Sequence, residues 1–137
     1  MRYLCVDYGL KRTGLAVCDA GETLASPLAV LTGQDRLADR IAEASRRQEA
    51  EALLVGLPLN MDGTEGKQTA RVREFAAELG RRTGLTVEFQ DERLSSFGAG
   101  DKISGLGITR KNKKKVLDAI AAADILQAFI DERNNRT

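Results

Sequence analysis

Three mostly apolar segments open the chain, separated by short polar turns. They read RYLCVD, GLAVCD and ETLASPLAVL. The first is apolar at nearly every position, which is typical of a strand covered on both faces, and Pro27 places the third near a sheet edge or a bulge. Because the links between the segments are short, we expect the three strands to pair as an antiparallel meander.

The rest of the chain alternates between helical and extended patterns. Apolar residues recur at helical spacing in 34–51 and again in 67–84. Each stretch is followed by a short apolar run, ALLVG and LTVEFQ, and an alanine-rich helical sequence, KVLDAIAAADILQAFIDER, comes last. The predicted order is β-β-β-α-β-α-β-α. Strands joined through helices favour parallel pairing, so we expect an α/β fold with a mixed five-stranded sheet and helices packed on it, formed as a single domain by residues 1–137.

The amino-acid composition restricts the possible types of catalytic and binding site more than it restricts the fold. The 21 basic and 20 acidic residues leave a formal charge of +1, so any nucleic-acid contact must be a local patch. The chain has no histidine, which excludes the commonest general base, the usual zinc ligands and the Ser-His and Cys-His nucleophilic pairs. Cys5 and Cys18 are expected as buried thiols. With no long apolar run and no export signal, we expect a cytoplasmic protein without a membrane span.

Acidic residues stand at the predicted ends of two central strands and on the last helix. Asp7 ends the first strand, and Asp91 and Glu92 follow the fifth, at the edge where parallel strands place functional groups. Asp118 shares the apolar stripe of the last helix, so its carboxylate needs a partner. That stripe continues through Ala121, Ala122, Ile125 and Phe129.

Each acid taken alone has a structural explanation. Asp7 could accept turn amides, Asp91 could cap a turn, Glu92 could pair with Arg93, and Asp118 could pair with Lys115 or cap the helix. Together, however, converging carboxylates repel one another, and without histidine a bound cation is the natural neutralising agent. Oxygen ligands select Mg²⁺ or Mn²⁺. Two such ions activate water and stabilise the leaving alkoxide in phosphodiester hydrolysis, which is the chemistry we predict here.

Basic and polar residues beside these acids form the predicted substrate-binding set. The run RKNKKK at 110–115 lies just before Asp118 and is either a solvated face or a track for a phosphate backbone. Lys11, Arg12 and Arg93 also adjoin the acids in sequence. The stretch LPLNMDGTEG fails the Walker A pattern, so we interpret it as a substrate-facing loop, with Asn60 near a phosphate, or as a simple connector. The cations of the run are Arg110, Lys111, Lys113, Lys114 and Lys115.

Four ordered motifs, VDYGLKRTGLAV, VGLPLNMDGTEG, DERLSS and KVLDAIAAADILQAFID, span nearly the whole chain. Together they resemble the YqgF family of bacterial proteins, whose members are described as pre-16S rRNA nucleases or as Holliday junction resolvases. The resemblance implies a ribonuclease H-like fold and a Mg²⁺-dependent endonuclease that helps to process the 5′ end of pre-16S rRNA, free or in a pre-ribosomal particle. Cutting of four-way DNA junctions is the older proposal for the family.

The same resemblance implies roles for individual residues. Asp7 would bridge two Mg²⁺ or Mn²⁺ ions, while Glu92 and Asp118 would each complete one side of the site. Asp91 stays a candidate for supporting these three acids without itself binding an ion, because neighbouring residues on an extended strand point in opposite directions. The motif positions that would orient phosphate or acids are Arg12, Asn60 and Arg93.

Two other classes of protein stay open at this point. Actin-like ATP-binding phosphotransferases share the Asp-x-Gly turn, but they close two lobes on a nucleotide and 137 residues provide one. A catalytically silent RNA-binding factor for ribosome assembly would keep the acids for structure. The sequence does not distinguish RNA from DNA as substrate, or a monomer from a homodimer, although symmetric cutting of a junction calls for paired sites.

Overall fold

The computed structural model describes residues 1–94 and 110–135, and it describes side chains for residues 1–93 and 117–135. The strands are β1 (Tyr3–Asp7), β2 (Arg12–Cys18), β3 (Ala25–Thr32), β4 (Ala52–Leu57) and β5 (Thr86–Asp91). The helices are α1 (Leu37–Arg47), α2 (Lys67–Thr83) and α3 (Arg110–Asn134), and a 3₁₀ turn, Glu92–Leu94, follows β5. The predicted order of strands and helices is confirmed.

The sheet is mixed, as predicted, with the strand order β3-β2-β1-β4-β5. β2 pairs antiparallel with both β1 and β3, which gives the expected meander, whereas β1 pairs parallel with β4 and β4 with β5. Pro27 lies on the edge strand β3, where the register with β2 shifts between Leu15 and Ala16. The expectation of an edge or a bulge at Pro27 is therefore confirmed.

Side chains alternate between the two faces of the sheet along β1. Tyr3 and Cys5 pack in a buried cluster with α3, whereas Leu4 and Val6 pack in a second cluster with α1 and α2. Both predicted buried thiols, Cys5 and Cys18, are free and buried. Because side chains alternate with a period of two, the next position of β1, Asp7, falls on the face that α3 covers.

Helix α3 begins earlier than the sequence predicted. It starts at Arg110, five residues before the alanine-rich pattern, and the basic run at the start of this helix forms its first turns. Lysine and arginine are good helix formers, which explains how the helix extends through this run. The side chains of the five predicted substrate-binding cations in it lie outside the described residues, so their roles stay predictions.

The far end of α3 is tied to the sheet by a polar network. The Tyr3 hydroxyl donates to Glu88 Oε2 at 2.5 Å, and Arg133 Nη1 donates to the same hydroxyl at 2.5 Å. The Arg133 guanidinium also lies over the ring of Phe129, 5.2 Å from its centroid. These contacts fix α3 against the amino-terminal edge of the sheet, opposite the edge that carries the predicted acids. No helix in the described part of the chain is long and apolar enough to cross a membrane.

Candidate functional site

The candidate site is centred on Asp7, the last residue of the central strand. β2 and β4 flank this strand, and each carries a glycine at the level of Asp7. Gly14 of β2 is the register partner of Asp7, and Gly56 of β4 follows Val55, the partner of Val6. The two glycines leave the sheet surface open on both sides of the Asp7 carboxylate.

Gly14 allows helix α3 to approach the sheet directly. A Cβ atom at this position would overlap the backbone carbonyl of Asp118. Only glycine lets the two backbones come so close, as glycines inside strands often do. The approach places Asp118 beside the strand that pairs with Asp7.

Gly56 has the corresponding role for Glu92. A Cβ atom here would lie 2.8 Å from Glu92 Oε1 and 2.9 Å from Ile125 Cδ1. The Glu92 side chain therefore leaves the end of β5 and lies across β4, where it hydrogen-bonds to Asp7. Two of the predicted acids share a direct contact.

The electrostatics of Asp7 reflect this crowding. Burial raises the pKa of Asp7 to about 8, with further increases from the hydrogen bond and the negative charge of Glu92 and from the charge of Asp118. A buried carboxyl in contact with another carboxyl keeps a proton because both cannot ionise without a counter-charge. The three predicted acids thus act on one another electrostatically at one edge of the sheet.

Asp118 has a cationic partner, as an acid on a buried stripe requires. Arg12, the first residue of β2, donates from Nε to Asp118 Oδ2 at 2.5 Å. Roughly a third of each side chain is exposed, 34% for Arg12 and 28% for Asp118. Arg12 was predicted to orient phosphate or acids, and in this structure it orients an acid.

The donor set is chemically suited to a hard divalent cation. The acids at the site offer only oxygen ligands, and burial beside the charges of Glu92 and Asp118 raises the pKa of Asp7, as expected where negative charge lacks a counter-charge. Within the described ranges, however, no three acidic or cysteine side chains are grouped closely enough to hold a metal ion. The Asp118 carboxylate is paired with Arg12 instead.

Asp91 and Arg93 lie beside Glu92 but contact each other. Arg93 donates to both carboxylate oxygens of Asp91 and also to the carbonyl of Met61, at 3.1 Å, in the loop that follows β4. The Arg93 guanidinium holds the pKa of Asp91 below its usual range. Asp91 therefore does not join the Asp7 and Glu92 pair in this structure.

The other predicted binding residues are Asn60 and Lys11. Asn60 donates from Nδ2 to Thr64 Oγ1 at 3.0 Å and lies against Gly66, so its side chain shapes the loop 58–66. Lys11 is exposed in the turn between β1 and β2, at the same edge of the sheet as Asp7. Contacts of either residue with a substrate stay predictions.

Comparison with known families identifies the group to which the chain is related. The family model described as "RuvX: Holliday junction resolvase" matches residues 1–132. The chain belongs to this family. The match covers the four motifs on which the resemblance to YqgF proteins rested, and that resemblance is confirmed.

Curated relatives are similar to this chain over nearly their whole length. A protein of Anaeromyxobacter sp. named "Putative pre-16S rRNA nuclease" is 45% identical over 136 residues, covering 98% of this chain and 99% of the relative. A protein of the same name from Nitratidesulfovibrio vulgaris is 41% identical over 138 residues, covering 99% and 97%.

Solved structures show the same fold as this RuvX-family chain. Thermus thermophilus RuvC in complex with a Holliday junction substrate aligns with a TM-score of 0.60 at 19% identity, covering 98% of this chain and 96% of that one. The fowlpox virus Holliday junction resolvase aligns with a TM-score of 0.59 at 12% identity, covering 97% and 99%. The predicted ribonuclease H-like fold is confirmed.

Sequence reasoning about this RuvX-family chain missed the two glycines that flank Asp7. Gly14 and Gly56 both lie within strands, and the absence of a side chain at each admits another group. The available signal was a glycine inside an apolar strand pattern, which often marks close approach of a backbone or ligand.

Proposed function

We propose that this RuvX-family chain is a divalent-metal-dependent endonuclease that hydrolyses phosphodiester bonds, acting in 5′-end processing of pre-16S rRNA with residues 1–137 as one nuclease domain. The observation that carries the proposal is the contact between the partly buried Asp7 and Glu92 at the carboxyl edge of the sheet, within electrostatic reach of Asp118. Converging carboxylates, one of which has its pKa raised by burial and by its neighbours, are poorly suited to a purely structural role, because desolvation and charge repulsion there cost stability.

The three acids would hold Mg²⁺ or Mn²⁺, in the two-ion arrangement that the family resemblance implies. A bound ion of this kind supplies an activated water and stabilises the leaving oxygen. Asp7 and Glu92 already lie in contact, and Asp118 would join them after exchanging its bond to Arg12 for the cation. The freed guanidinium of Arg12 would then be available to a substrate phosphate, for which its planar set of donors is well suited.

Nucleic acid would reach this edge over a surface that offers cations and polar groups. Lys11 lies on the turn and Asn60 on the loop that border this edge. The basic run 110–115 lies on α3, shortly before Asp118 in the same helix. Contacts of this kind recognise the phosphate backbone and not the base sequence. The relatives named as pre-16S rRNA nucleases favour RNA, in a pre-rRNA or a pre-ribosomal particle, as the partner.

A cleavage assay tests the proposal. Purified protein is incubated with an RNA that spans the 5′ boundary of 16S rRNA, in Mg²⁺ and in EDTA, beside Asp7→Asn and Asp131→Asn. Asp131 is an exposed carboxylate farther along α3, so its replacement is the matched control. We expect cleavage in Mg²⁺ by the wild type and by Asp131→Asn, and none in EDTA or by Asp7→Asn.

Two results would count against the nuclease assignment. Equal cleavage by Asp7→Asn and wild type would show that the site lies elsewhere. RNA binding without cleavage by any variant would favour the non-catalytic assembly factor.

A second substrate follows from the description of the matching family model, which names Holliday junction resolution. The same phosphodiester chemistry applies to DNA, so a four-way junction should be assayed beside the precursor RNA. Symmetric cutting also requires two sites in one particle. Sedimentation of the protein with and without the junction tests for that dimer, and a strict monomer on the junction would speak against resolution.

A further inference from the structure

The 3₁₀ turn that carries Glu92 is closed by its two neighbours in sequence. The Asp91 carboxylate accepts the backbone N–H of Arg93 at 2.9 Å and Arg93 Nη2 at 2.7 Å. Arg93 Nε adds bonds to both oxygens of the same carboxylate, each at 3.1 Å. Asp91 and Arg93 thus form a closed ring of contacts around Glu92, whose own side chain lies over Gly56.

The same guanidinium also holds the loop that follows β4. Arg93 Nη1 donates to the carbonyls of Met61 at 3.1 Å and Asn60 at 3.4 Å. Within the loop, Gly63 N donates to Asn60 O at 2.8 Å, and Asn60 N donates to Thr64 O at 2.9 Å. One side chain therefore links the end of β5 to a loop that is folded tightly on itself.

These contacts occupy most of the donors of Arg93. A guanidinium has five N–H groups, and Nε, Nη1 and Nη2 all have acceptors here. Asp91 is only 21% exposed and Arg93 35%. If Arg93 turned to a phosphate, the Asp91 carboxylate and two loop carbonyls would lose these hydrogen bonds, and the turn and the loop would lose the side chain that joins them.

We propose that Asp91 and Arg93 are a positioning pair, which directs Glu92 across Gly56 towards Asp7 and fixes the loop 58–66 beside it. This inference rests on the proposed nuclease function for its kinetic consequences, but not for its structural ones. It assigns Arg93 an action through Glu92 and the loop instead of direct binding to substrate. Asp91, which as an anion has no affinity for phosphate, becomes as important as Arg93.

The first test compares Asp91→Asn and Arg93→Gln in cleavage and in binding. If the pair positions Glu92, both variants lower kcat by a similar factor, about 10- to 100-fold, because a displacement near 1 Å costs that much. KM and the salt dependence of RNA binding in EDTA then stay close to wild type. Arg2→Gln is the matched control, since it removes an exposed pair with Glu49 at the opposite edge of the sheet; it should change neither quantity.

A direct phosphate contact predicts a different pattern. Arg93→Gln alone would weaken binding and reduce the slope of log affinity against log salt by about one. Asp91→Asn would then bind at least as tightly as wild type and retain its kcat. That pattern would overturn the proposal.

The second test does not depend on catalysis. Amide hydrogen exchange is measured for residues 58–66 without metal or RNA, and both variants should exchange at least about 10-fold faster than wild type and Arg2→Gln. Unchanged protection in both variants would overturn the proposal even if cleavage fell. If wild-type protein cleaves neither RNA nor DNA, the nuclease function fails, and hydrogen exchange alone decides whether the pair positions the loop.

Discussion

Replacing Gly56 by alanine tests whether the position of Glu92 matters for activity. The added methyl would lie 2.8 Å from Glu92 Oε1, 3.0 Å from Glu92 Cγ and 2.9 Å from Ile125 Cδ1. All of these distances are shorter than ordinary contacts, so something must move by several tenths of an ångström. All three atoms belong to side chains, and Glu92 Oε1 and Ile125 Cδ1 are side-chain ends that can rotate, so we expect the Glu92 side chain to be displaced while the backbone stays in place.

The expected effects differ greatly between stability and catalysis. Overpacking a core typically costs about 1–3 kcal/mol, and since these side chains can yield and glycine in a strand is itself unfavourable, we expect about 1 kcal/mol. A loss of that size lowers Tm by only a few degrees. A carboxylate misplaced by up to about 1 Å lowers kcat by about 10- to 100-fold, equivalent to roughly 1.4–2.7 kcal/mol.

Thermal unfolding and the precursor RNA cleavage assay separate these effects. A domain of ordinary stability, about 5 kcal/mol or more, stays almost fully folded after losing 1 kcal/mol, so unfolding cannot explain a tenfold loss of rate. Gly80→Ala, a substitution in α2, is the matched control. Its methyl would be an ordinary 3.4 Å from Cγ2 of Val87 in β5, so this variant should keep wild-type kcat. Wild-type kcat in Gly56→Ala, accompanied by a lower Tm, would refute the role given to the position of Glu92.

Two further predictions concern the charges at the site. At pH values between the ordinary pKa of Asp7, 3.8, and its raised pKa of about 8, Asp7 keeps a proton in the folded chain and releases it in the unfolded chain. The contribution of Asp7 to the free energy of unfolding is therefore lost as the pH rises through about 8. In EDTA, Asp7→Asn should therefore be more stable than wild type at pH 8 and should have a smaller fall in Tm from pH 5 to 8; equal Tm profiles would contradict this. Removing the partner of Asp118 with Arg12→Gln should cost about 1 kcal/mol or less, since both side chains are partly exposed. That cost should be smaller in Mg²⁺ than in EDTA and smaller again in an Asp118→Asn background, and equal costs in all three measurements would argue against charge pairing.

The fold was predictable because local patterns and chain connectivity agree. The short links of the first three strands dictate a meander, and helices between the later strands dictate parallel pairing. The apolar spacing predicted a helix over 67–84, and Gly84 ends α2 in the left-handed conformation at φ 71°. The start of α3 was not predictable in the same way, because lysine and arginine are favoured both within helices and on solvated loops.

For the candidate site, the sequence predicted which acids come together but not the residues with which they pair. Strand ends and helical spacing placed Asp7, Glu92 and Asp118 at one edge, but the partner of Asp118 turned out to be Arg12, 106 residues away in sequence, which no local pattern reveals. The partner was decided by Gly14, because the absence of a side chain there brings α3 onto β2 and so carries Asp118 to the strand that Arg12 begins. The acids supply the charge of the site, but the glycines on either side of Asp7 determine how close those charges come. Those glycines are therefore part of the geometry of the site, although they carry no reactive group.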